Sequence, residues 1–320
     1  MPAPTASLVR PQIATIEVSV DPVYNALHSL MSIIKAAHLS GLGDWVLNTC
    51  DALTTAEMQN HRLVVEGLHY ALYPQRHFPS FPTYIDHLEK MDPFVLRDRL
   101  LDGYFNLSCM RDEPSPYSTY EEVLRSPESY LDFLIGRFGS EHVDPDLERH
   151  AYTYAVNPTA MQILIVSHLR MMWDRFLAAE WTRIEPMLTD SAAAFNDAGV
   201  KRMDIHEAAE FITGQPLKQK EWDPPEQNIQ RYVFVPSVHI GPYLGRFLQG
   251  DSLVILFGAR LPEGTTIHAP DLSRSEIAVR LNALADDTRL RILRYIADNG
   301  EQRSQDIISA LNLSQSAASR

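Results

Sequence analysis

The sequence is poor in cysteine and contains no apolar run long enough to cross a membrane. Its 320 residues include two cysteines, Cys50 and Cys109, too few for a disulfide framework or a structural zinc site. The first ten residues, MPAPTASLVR, lack the apolar core of a signal peptide. These absences predict a cytoplasmic protein without a membrane partner.

Common catalytic motifs are also absent. The chain contains neither a G-x-S-x-G nucleophile turn nor the glycine patterns that cradle phosphates. Two acidic pairs, Asp144 with Asp146 and Glu121 with Glu122, are better explained by a helix start and a solvated surface than by acid–base chemistry. We therefore predict that the protein is not an enzyme, and keep an enzyme with an appended regulatory region as a less favoured alternative.

Twelve histidines raise the question of a metal site. His61, His69 and His77 recur every eight residues, and eight residues advance a helix by about 80°, too far for two side chains to grip one ion. None has the HExxH or H-x₃-H spacing that places two zinc ligands on one helix face. The prediction is no metal and no cofactor.

The acidic charge is distributed unevenly. The formal net charge is −13, yet residues 273–320 hold seven arginines against six acidic residues. The remainder carries 21 basic and 35 acidic residues, a net charge of −14. DNA affinity depends on local phosphate contacts, so an acidic body does not exclude DNA binding by the C-terminal segment. The acidic body could hold DNA away from all but one face, although solubility is the simpler explanation.

Hydrophobic periodicity divides the chain into four parts. Residues 1–11 are rich in proline and alanine and are predicted to form a disordered arm. Residues 12–262 show mostly helical periodicity and are expected to form a large body for sensing or dimerisation. A linker at 263–272 then leads to a C-terminal domain at 273–320. The fold class is therefore mainly α.

Three segments of the body break this helical pattern. Residues 14–20, 231–236 and 252–257 are short and β-rich, and we predict that the last two pair and the first joins them in a small sheet. Asn157-Pro158 starts the longest helical region, expected to reach about residue 197 with an interruption at Pro186. The broad apolar face of that region is typical of a core or a dimer seam.

The last forty-eight residues, 273–320, contain three helical patterns in succession and the start of a fourth. Ser273 and Glu276 have capping-box spacing, and Asn299-Gly300 is a helix stop. The apolar stripes of the second and third helices are Leu290, Leu293 and Ile296, then Ile307, Ile308 and Leu311. Two short helices joined by a tight turn predict a helix-turn-helix, whose second helix enters the major groove.

The fourth helix carries side chains suited to DNA. Ser314 is a good N-cap, and Gln315, Ser316 and Ser319 share one face with small hydrogen-bonding groups. Arg320 can neutralise a phosphate. We predict that these five residues bind DNA. A polar, solvent-exposed helix is the alternative interpretation.

These residues also carry a family resemblance. The run from Leu284 to Leu293, LADDTRLRIL, followed by SQDI from Ser304 and LNLSQSAASR from Leu311, resembles the ArsR family of bacterial winged helix-turn-helix regulators. The resemblance implies a homodimer whose recognition helices enter successive major grooves of double-stranded DNA. It also implies that Gln315, Ser316 and Arg320 face the DNA, together with Ser319.

Two departures from the family pattern matter. Metal-sensing members carry a Cys-x-Cys pair before the turn, whereas this chain has Arg303 to Ile307, RSQDI, without cysteine. The sequence also ends inside the predicted recognition helix, so the β-wing and last helix of the family are expected beyond residue 320. The C-terminal domain is therefore predicted to be incomplete here.

The size of the body leaves room for a sensing function. Its aromatic residues are candidates for lining an apolar pocket, with His168 or Arg170 at the polar end, and core packing is the alternative. The aromatic candidates are Trp45, Tyr152, Tyr154, Trp173 and Trp181. The favoured function is a sequence-specific, dimeric transcription regulator that acts as a repressor, in which the body responds to a small-molecule effector or sets the geometry of the dimer. The alternative from another class is a protein–protein interaction module in which the C-terminal domain serves dimerisation.

Overall fold

A computed structural model of the chain describes residues 14–37, 39, 42–106, 116–215 and 229–262, with four positions in the C-terminal segment, 295, 296, 308 and 310. The chain divides into two compact units, Met1–Thr265 and Thr266–Arg320. In the second unit, the four described residues are helical. The predicted arm at 1–11, the predicted linker at 263–272 and most of the predicted C-terminal domain lie outside the described residues.

The described part of the chain is mainly helical, as its periodicity predicts. Proline in the first turn, preceded by a capping side chain, starts several helices, because proline lacks the N–H that has no partner there. Asp21, Asp144 and Asn157 accept hydrogen bonds from the first backbone N–H groups of their helices, and the helix starts at Asp144 and Asn157 were predicted from the sequence. The α-helices are α1 Pro22–Lys35, α2 Asp44–Ala52, α3 Thr55–Arg62, α4 Phe81–Lys90, α5 Pro93–Asn106, α6 Tyr120–Val123, α7 Pro127–Phe138, α8 Pro145–Ala155, α9 Pro158–Met172, α10 Ala178–Asp197 and α11 Ile205–Thr213.

Two π-helical turns interrupt long helical runs. Leu63–Gly67 extends α3, and Trp173–Leu177 joins α9 to α10. The expected interruption at Pro186 is wrong, because this residue lies inside α10 without ending the helix. Pro186 is exposed, as is Thr182 one turn earlier, so the carbonyl that loses its helical partner faces solvent.

The sheet has four strands, β1 Thr15–Val18, β2 Arg231–Ser237, β3 Gly245–Gln249 and β4 Ser252–Gly258, in the order β1-β2-β4-β3. The predicted pairing of β2 with β4, and the addition of β1, are confirmed. These three strands are parallel, and β3 is an antiparallel edge strand beside β4. The segments predicted as strands did not include β3. Its first residue is glycine and polar residues interrupt its apolar ones, so its own strand propensity is weak. Pairing with β4 stabilises it as a strand.

Both faces of the sheet are covered. Phe234 and Ile255 pack with α10 and α11 on one face, while Val235 and Leu256 pack on the other face near Tyr24 of α1. The remaining helices form a separate apolar core, which includes α1 and the apolar face of α9. That α9 face is therefore part of the core and not a dimer seam.

A pair of leucines in this sheet tests its register. Leu256 of β4 is fully buried, whereas Leu248 of β3 is 48% exposed. We expect Leu256→Ala to lower the free energy of unfolding by about 2–5 kcal/mol, since it removes buried apolar volume. Leu248→Ala should change it by less than about 0.5 kcal/mol. Urea unfolding followed by tryptophan fluorescence measures both, because all four tryptophans lie in the N-terminal unit. Equal losses would show that the assigned faces are wrong.

Candidate functional site

The predicted DNA-binding residues lie outside the described residues. Ser314, Gln315, Ser316, Ser319 and Arg320 therefore keep the roles predicted from the sequence, without a geometry to test them. Two features among the described residues of the N-terminal unit bring buried or charged side chains to a cavity. One is a pocket at the end of α1, and the other is a buried polar cluster just beyond the end of β2.

The pocket lies between the last turns of α1 and the segment formed by α3 and its π-helical turn. Its volume is about 630 Å³, within the range of small-molecule sites. Most of its lining is apolar, with charged or polar side chains from a few positions. The lining residues are Met31, Ile33, Ile34, Lys35, Ala37, Cys50, Met58, Arg62, Val65, Glu66 and His69.

Two lining residues with titratable side chains are uncharged at neutral pH. Burial lowers the pKa of His69 to about 4, and the positive charge of Lys35 lowers it further. A hydrogen bond to the carbonyl of Glu66 acts in the opposite direction, because it favours the charged form. Burial raises the pKa of the Cys50 thiol, and the neighbouring Asp51 adds to this effect. Cys50 is half-buried and free. The pocket therefore presents a neutral imidazole and a neutral thiol.

The polar cluster joins three distant parts of the chain. Ser29 Oγ lies 2.7 Å from His239 Nδ1, and His239 Nε2 lies 2.9 Å from Glu180 Oε1. The three residues come from α1, the turn after β2, and α10. Each is at most 6% exposed, and the indole of Trp45 stacks on the His239 ring at 4.5 Å.

The protons of this cluster can be assigned from its contacts. Burial opposes ionisation of Glu180, yet hydrogen bonds from His239 and Arg183 hold its pKa at about 2, so the carboxylate is charged and accepts from His239 Nε2. Ser29 Oγ also lies 2.7 Å from the carbonyl of Asn25. The serine has one proton, so both of its contacts are satisfied when it donates to Asn25 and accepts from His239 Nδ1. In that arrangement Ser29 Oγ and Glu180 Oε1 are the two acceptors beside the His239 ring.

A serine, a histidine and a carboxylate in sequence resemble a nucleophilic triad, but the surroundings favour a structural role. The adjoining cavity has a volume of about 10 Å³, room for about one water molecule. The hydroxyl of Ser29 is also engaged by its own helix. A substrate cannot reach Ser29 in this arrangement, and the cluster instead ties α1 to α10 and to the sheet.

A second buried pair links α3 with α9. His61 Nδ1 lies 2.9 Å from His168 Nε2, and His61 Nε2 lies 2.9 Å from the carbonyl of Leu30. The carbonyl only accepts, so His61 carries its proton on Nε2 and accepts at Nδ1 from His168. Burial lowers the pKa of His61 to about 4 despite the hydrogen bond to Leu30, and burial together with the neighbouring His61 lowers that of His168 to about 3.

The aromatic pocket expected from the sequence is not formed as predicted. Trp173 and Trp181 line the small cavity beside His239, but Tyr152 packs against Tyr130 and Tyr154 against His150. The expected polar ends have other partners as well. His168 pairs with His61, and Arg170 forms ion pairs with Asp86 and Glu89.

The acidic pairs have the roles expected of them. Asp144 accepts from the backbone N–H groups that open α8, and Glu122 completes a capping box with Thr119. Over the ranges that the structure describes, no group of three or more histidine, cysteine or acidic side chains is placed to hold a metal ion. Cys109 lies outside those ranges.

Sequence reasoning missed both the cluster and the pocket. Ser29 and His239 are 210 positions apart, and His61 and His168 are 107 apart. No local spacing connects such residues. The available signals were weak: a serine and a histidine on the buried side of predicted elements, each of which requires a hydrogen-bond partner.

Comparison with known proteins assigns the C-terminal segment. Residues 286–320 match the family model of the bacterial regulatory proteins of the arsR family. This segment is similar to ArsR regulators. The match confirms the resemblance carried by the C-terminal motifs, and no family match covers the N-terminal unit. No curated protein and no solved structure matches the chain.

The ArsR-type segment, residues 286–320, contains all five predicted DNA-binding positions. The match indicates DNA-binding transcription regulation. In the described part of the chain, no helix is both long enough and apolar enough to cross a membrane.

The contact between Ser29 and His239 can be tested against a matched serine. Ser167 on α9 also bonds the carbonyl four residues earlier, at 2.7 Å, but it is exposed and meets no histidine. We expect Ser29→Ala to lower the free energy of unfolding by about 1–3 kcal/mol, because it leaves buried His239 Nδ1 unpaired. Ser167→Ala should cost less than about 0.5 kcal/mol. Urea titration measures the free energy of unfolding of both variants. Equal losses would show that the contact between Ser29 and His239 does not stabilise the fold.

The buried histidine pair predicts a pH dependence. Both pKa values lie below the unfolded value of about 6.5, so the unfolded chain takes up protons that the folded chain does not as the pH falls below about 6.5. Stability is therefore lost on acidification. His168→Gln keeps an N–H donor for His61. It also removes one of the two histidines that take up a proton on unfolding.

In that variant, we expect the free energy of unfolding to fall less steeply as the pH decreases. Between about pH 6 and 4.5, the slope should be smaller than that of the parent by about 1.4 kcal/mol per pH unit. Urea unfolding at a series of pH values gives the slope. The control is His150→Gln, at an exposed position, which should keep the slope of the parent. If the two variants give the same slope, the pair is not neutral in the folded state.

Proposed function

We propose that the chain is a sequence-specific transcription regulator in which the ArsR-type segment binds double-stranded DNA and the N-terminal unit responds to a small molecule. The match of residues 286–320 to arsR regulatory proteins is the observation that carries this proposal. A regulator of this kind needs two parts, one that reads DNA and one that changes state. The ArsR-type segment supplies the first.

The proposed reading surface is the start of the fourth predicted helix. Ser314 caps it, and Gln315 and Ser316 reach base edges, since a glutamine amide pairs well with the donor and acceptor of adenine in the major groove. Ser319 and Arg320 contact phosphates. The small serines allow the helix to approach the groove closely.

Two copies of the segment are proposed to act together. A helix-turn-helix dimer places its recognition helices about 34–36 Å apart, so its binding site is an inverted repeat with half-sites about 10 base pairs apart. The net charge of −14 outside residues 273–320 is compatible with DNA contact through the C-terminal segment alone, because an acidic surface repels the phosphate backbone. We propose that the dimer represses transcription by occupying such a site.

The N-terminal unit is proposed as the sensor. Its pocket of about 630 Å³ has the size of a small-molecule site. A ligand changes DNA affinity only if it binds one arrangement of the dimer better than another. The alternative, an interaction module without DNA readout, has no feature of the described residues in its favour.

The DNA function is tested by selecting duplexes from a random pool with the full chain. We expect the selected DNA to contain an inverted repeat, and its binding to weaken steeply with salt, because phosphate contacts release counterions. Gln315→Ala should reduce the discrimination between selected and scrambled duplex by about 1–3 kcal/mol while changing nonspecific affinity little.

The matched control is Gln302→Ala, which changes the same residue type just after the predicted helix stop at Asn299-Gly300. It should leave the discrimination unchanged. Fluorescence anisotropy with the two duplexes measures all three proteins. A chain that binds no duplex at low salt contradicts the proposed function, and equal discrimination by both glutamine variants contradicts the role of Gln315.

A further inference from the structure

The pocket at the end of α1 has a composition that selects one class of ligand. We propose that it binds a small apolar molecule carrying a single acidic group, such as an aromatic carboxylate or a medium-chain fatty acid. Binding is a property of the N-terminal unit. Its meaning as a regulatory signal rests on the proposed function.

The apolar part of the site is well defined. Met31 and Ile34 from α1 line the pocket together with Met58 from α3 and Val65 from its π-helical turn. Methionine side chains adapt their shape to different apolar surfaces. The neutral thiol of Cys50 adds to the same lining. A ligand that fills this volume therefore has a largely apolar skeleton.

The acidic group is indicated by Lys35. This side chain lines the pocket, is exposed, and lies in the last turn of α1. Within the described residues it forms no ion pair with a carboxylate. It therefore contributes one positive charge that no described side chain neutralises, at the rim of an apolar space.

The other charged residues of the described lining add no second unpaired cation, because Arg62 is paired with two carboxylates, and this excludes a more highly charged ligand. Arg62 forms ion pairs with Glu66 and with Asp144, both at 3.1 Å. Glu66 also lines the pocket and would repel a second anionic group. A nucleotide or a polyphosphate needs several cations or N–H donors. One free cation is suited to one carboxylate.

The π-helical turn Leu63–Gly67 is a second indication of a binding site. Such turns cost helical hydrogen bonding and occur frequently at functional sites. Here the turn contributes Val65 and Glu66 to the pocket wall. It also follows the last turn of α3, where His61 Nε2 donates to the carbonyl of Leu30 in α1. The helices that supply the two walls of the pocket are thus connected by a buried hydrogen bond.

This connection gives a ligand a route of action. A molecule bound between α1 and the π-helical turn would change the His61–Leu30 contact and the position of α1. The other half of α1 is tied to the sheet, through Asn25 to the carbonyl of Pro236 and through Ser29 to His239. Displacement of α1 would therefore also displace the residues of the sheet that are bonded to it. The last strand of this sheet precedes the C-terminal unit in the sequence.

The test uses two fluorescent probes that differ in charge. 8-Anilinonaphthalene-1-sulfonate is an apolar aromatic anion, and N-phenyl-1-naphthylamine is its neutral counterpart. We expect the anionic probe to bind the full chain saturably at one site. Lys35→Met should weaken its binding by about ten-fold, because one charge-assisted contact is lost, and should leave the neutral probe within about two-fold.

Two further variants separate charge from space. Lys201→Met removes an exposed lysine from the short turn Val200–Arg202, away from the pocket lining, and should leave both probes unaffected. Ala37→Trp places a large ring at an exposed lining position and should weaken both probes. Near-ultraviolet circular dichroism confirms that each variant keeps its packing, since loosely packed chains also bind the anionic probe.

The outcomes are decisive for the pocket without any DNA in the assay. Equal affinity of the Lys35→Met and Lys201→Met chains for the anionic probe overturns the acidic-group assignment. Unchanged binding after Ala37→Trp, or binding at many weak sites, overturns the pocket. Decanoate should displace the probe at lower concentration than decanol, and the reverse order also contradicts the proposal.

A final arm addresses regulation. Saturating decanoate should shift the affinity of the parent chain for the selected duplex, and should not shift that of the Lys35→Met chain at the same concentration. If decanoate displaces the probe but leaves DNA affinity unchanged, the site stands and its regulatory meaning is wrong. If the chain binds no duplex at all, the proposed function fails while the probe results remain valid.

Discussion

The N-terminal unit depends on one constraint: polar groups on a buried helix must find partners. Ten of the fourteen residues of α1 are buried, and they include Asn25 and Ser29. Asn25 donates to a β2 carbonyl, Ser29 meets His239, and the carbonyl of Leu30 accepts from His61. A buried polar group without a partner costs about 1–3 kcal/mol. These contacts therefore determine where α1 lies relative to the sheet, to α10 and to α3.

That placement connects the features with a functional interpretation. One end of α1 follows β1 and is tied to β2 and the turn after it, and its other end forms one side of the pocket. The two π-helical turns lie next to these places, since Leu63–Gly67 forms part of the pocket wall and Trp173 and Leu177 line the small cavity near His239. A single rigid helix thus joins the proposed ligand site to the strands that precede the ArsR-type segment in the sequence.

Local signals in the sequence were sufficient for much of the fold. Asp21-Pro22 and Asn157-Pro158 start helices because the capping oxygen and the fixed proline φ act within one turn. The pairing of β2 with β4 was predictable because both are short, β-rich runs within one segment. Edge strand β3 and the continuation of α10 through Pro186 were missed, because pairing with a neighbour and solvation of a freed carbonyl override local preference.

The sequence by itself determined the mainly helical class, several helix starts and the ArsR-type segment. Each of these features depends on residues that are only a few positions apart. Only the tertiary structure decided the pocket, the Ser29–His239–Glu180 cluster and the His61–His168 pair. The members of the cluster and of the histidine pair are 59 to 210 positions apart, and a side chain's identity does not reveal which distant partner burial will bring to it. The charge state of each group follows from that burial, which is why the chemistry of the N-terminal unit emerges only from its packing.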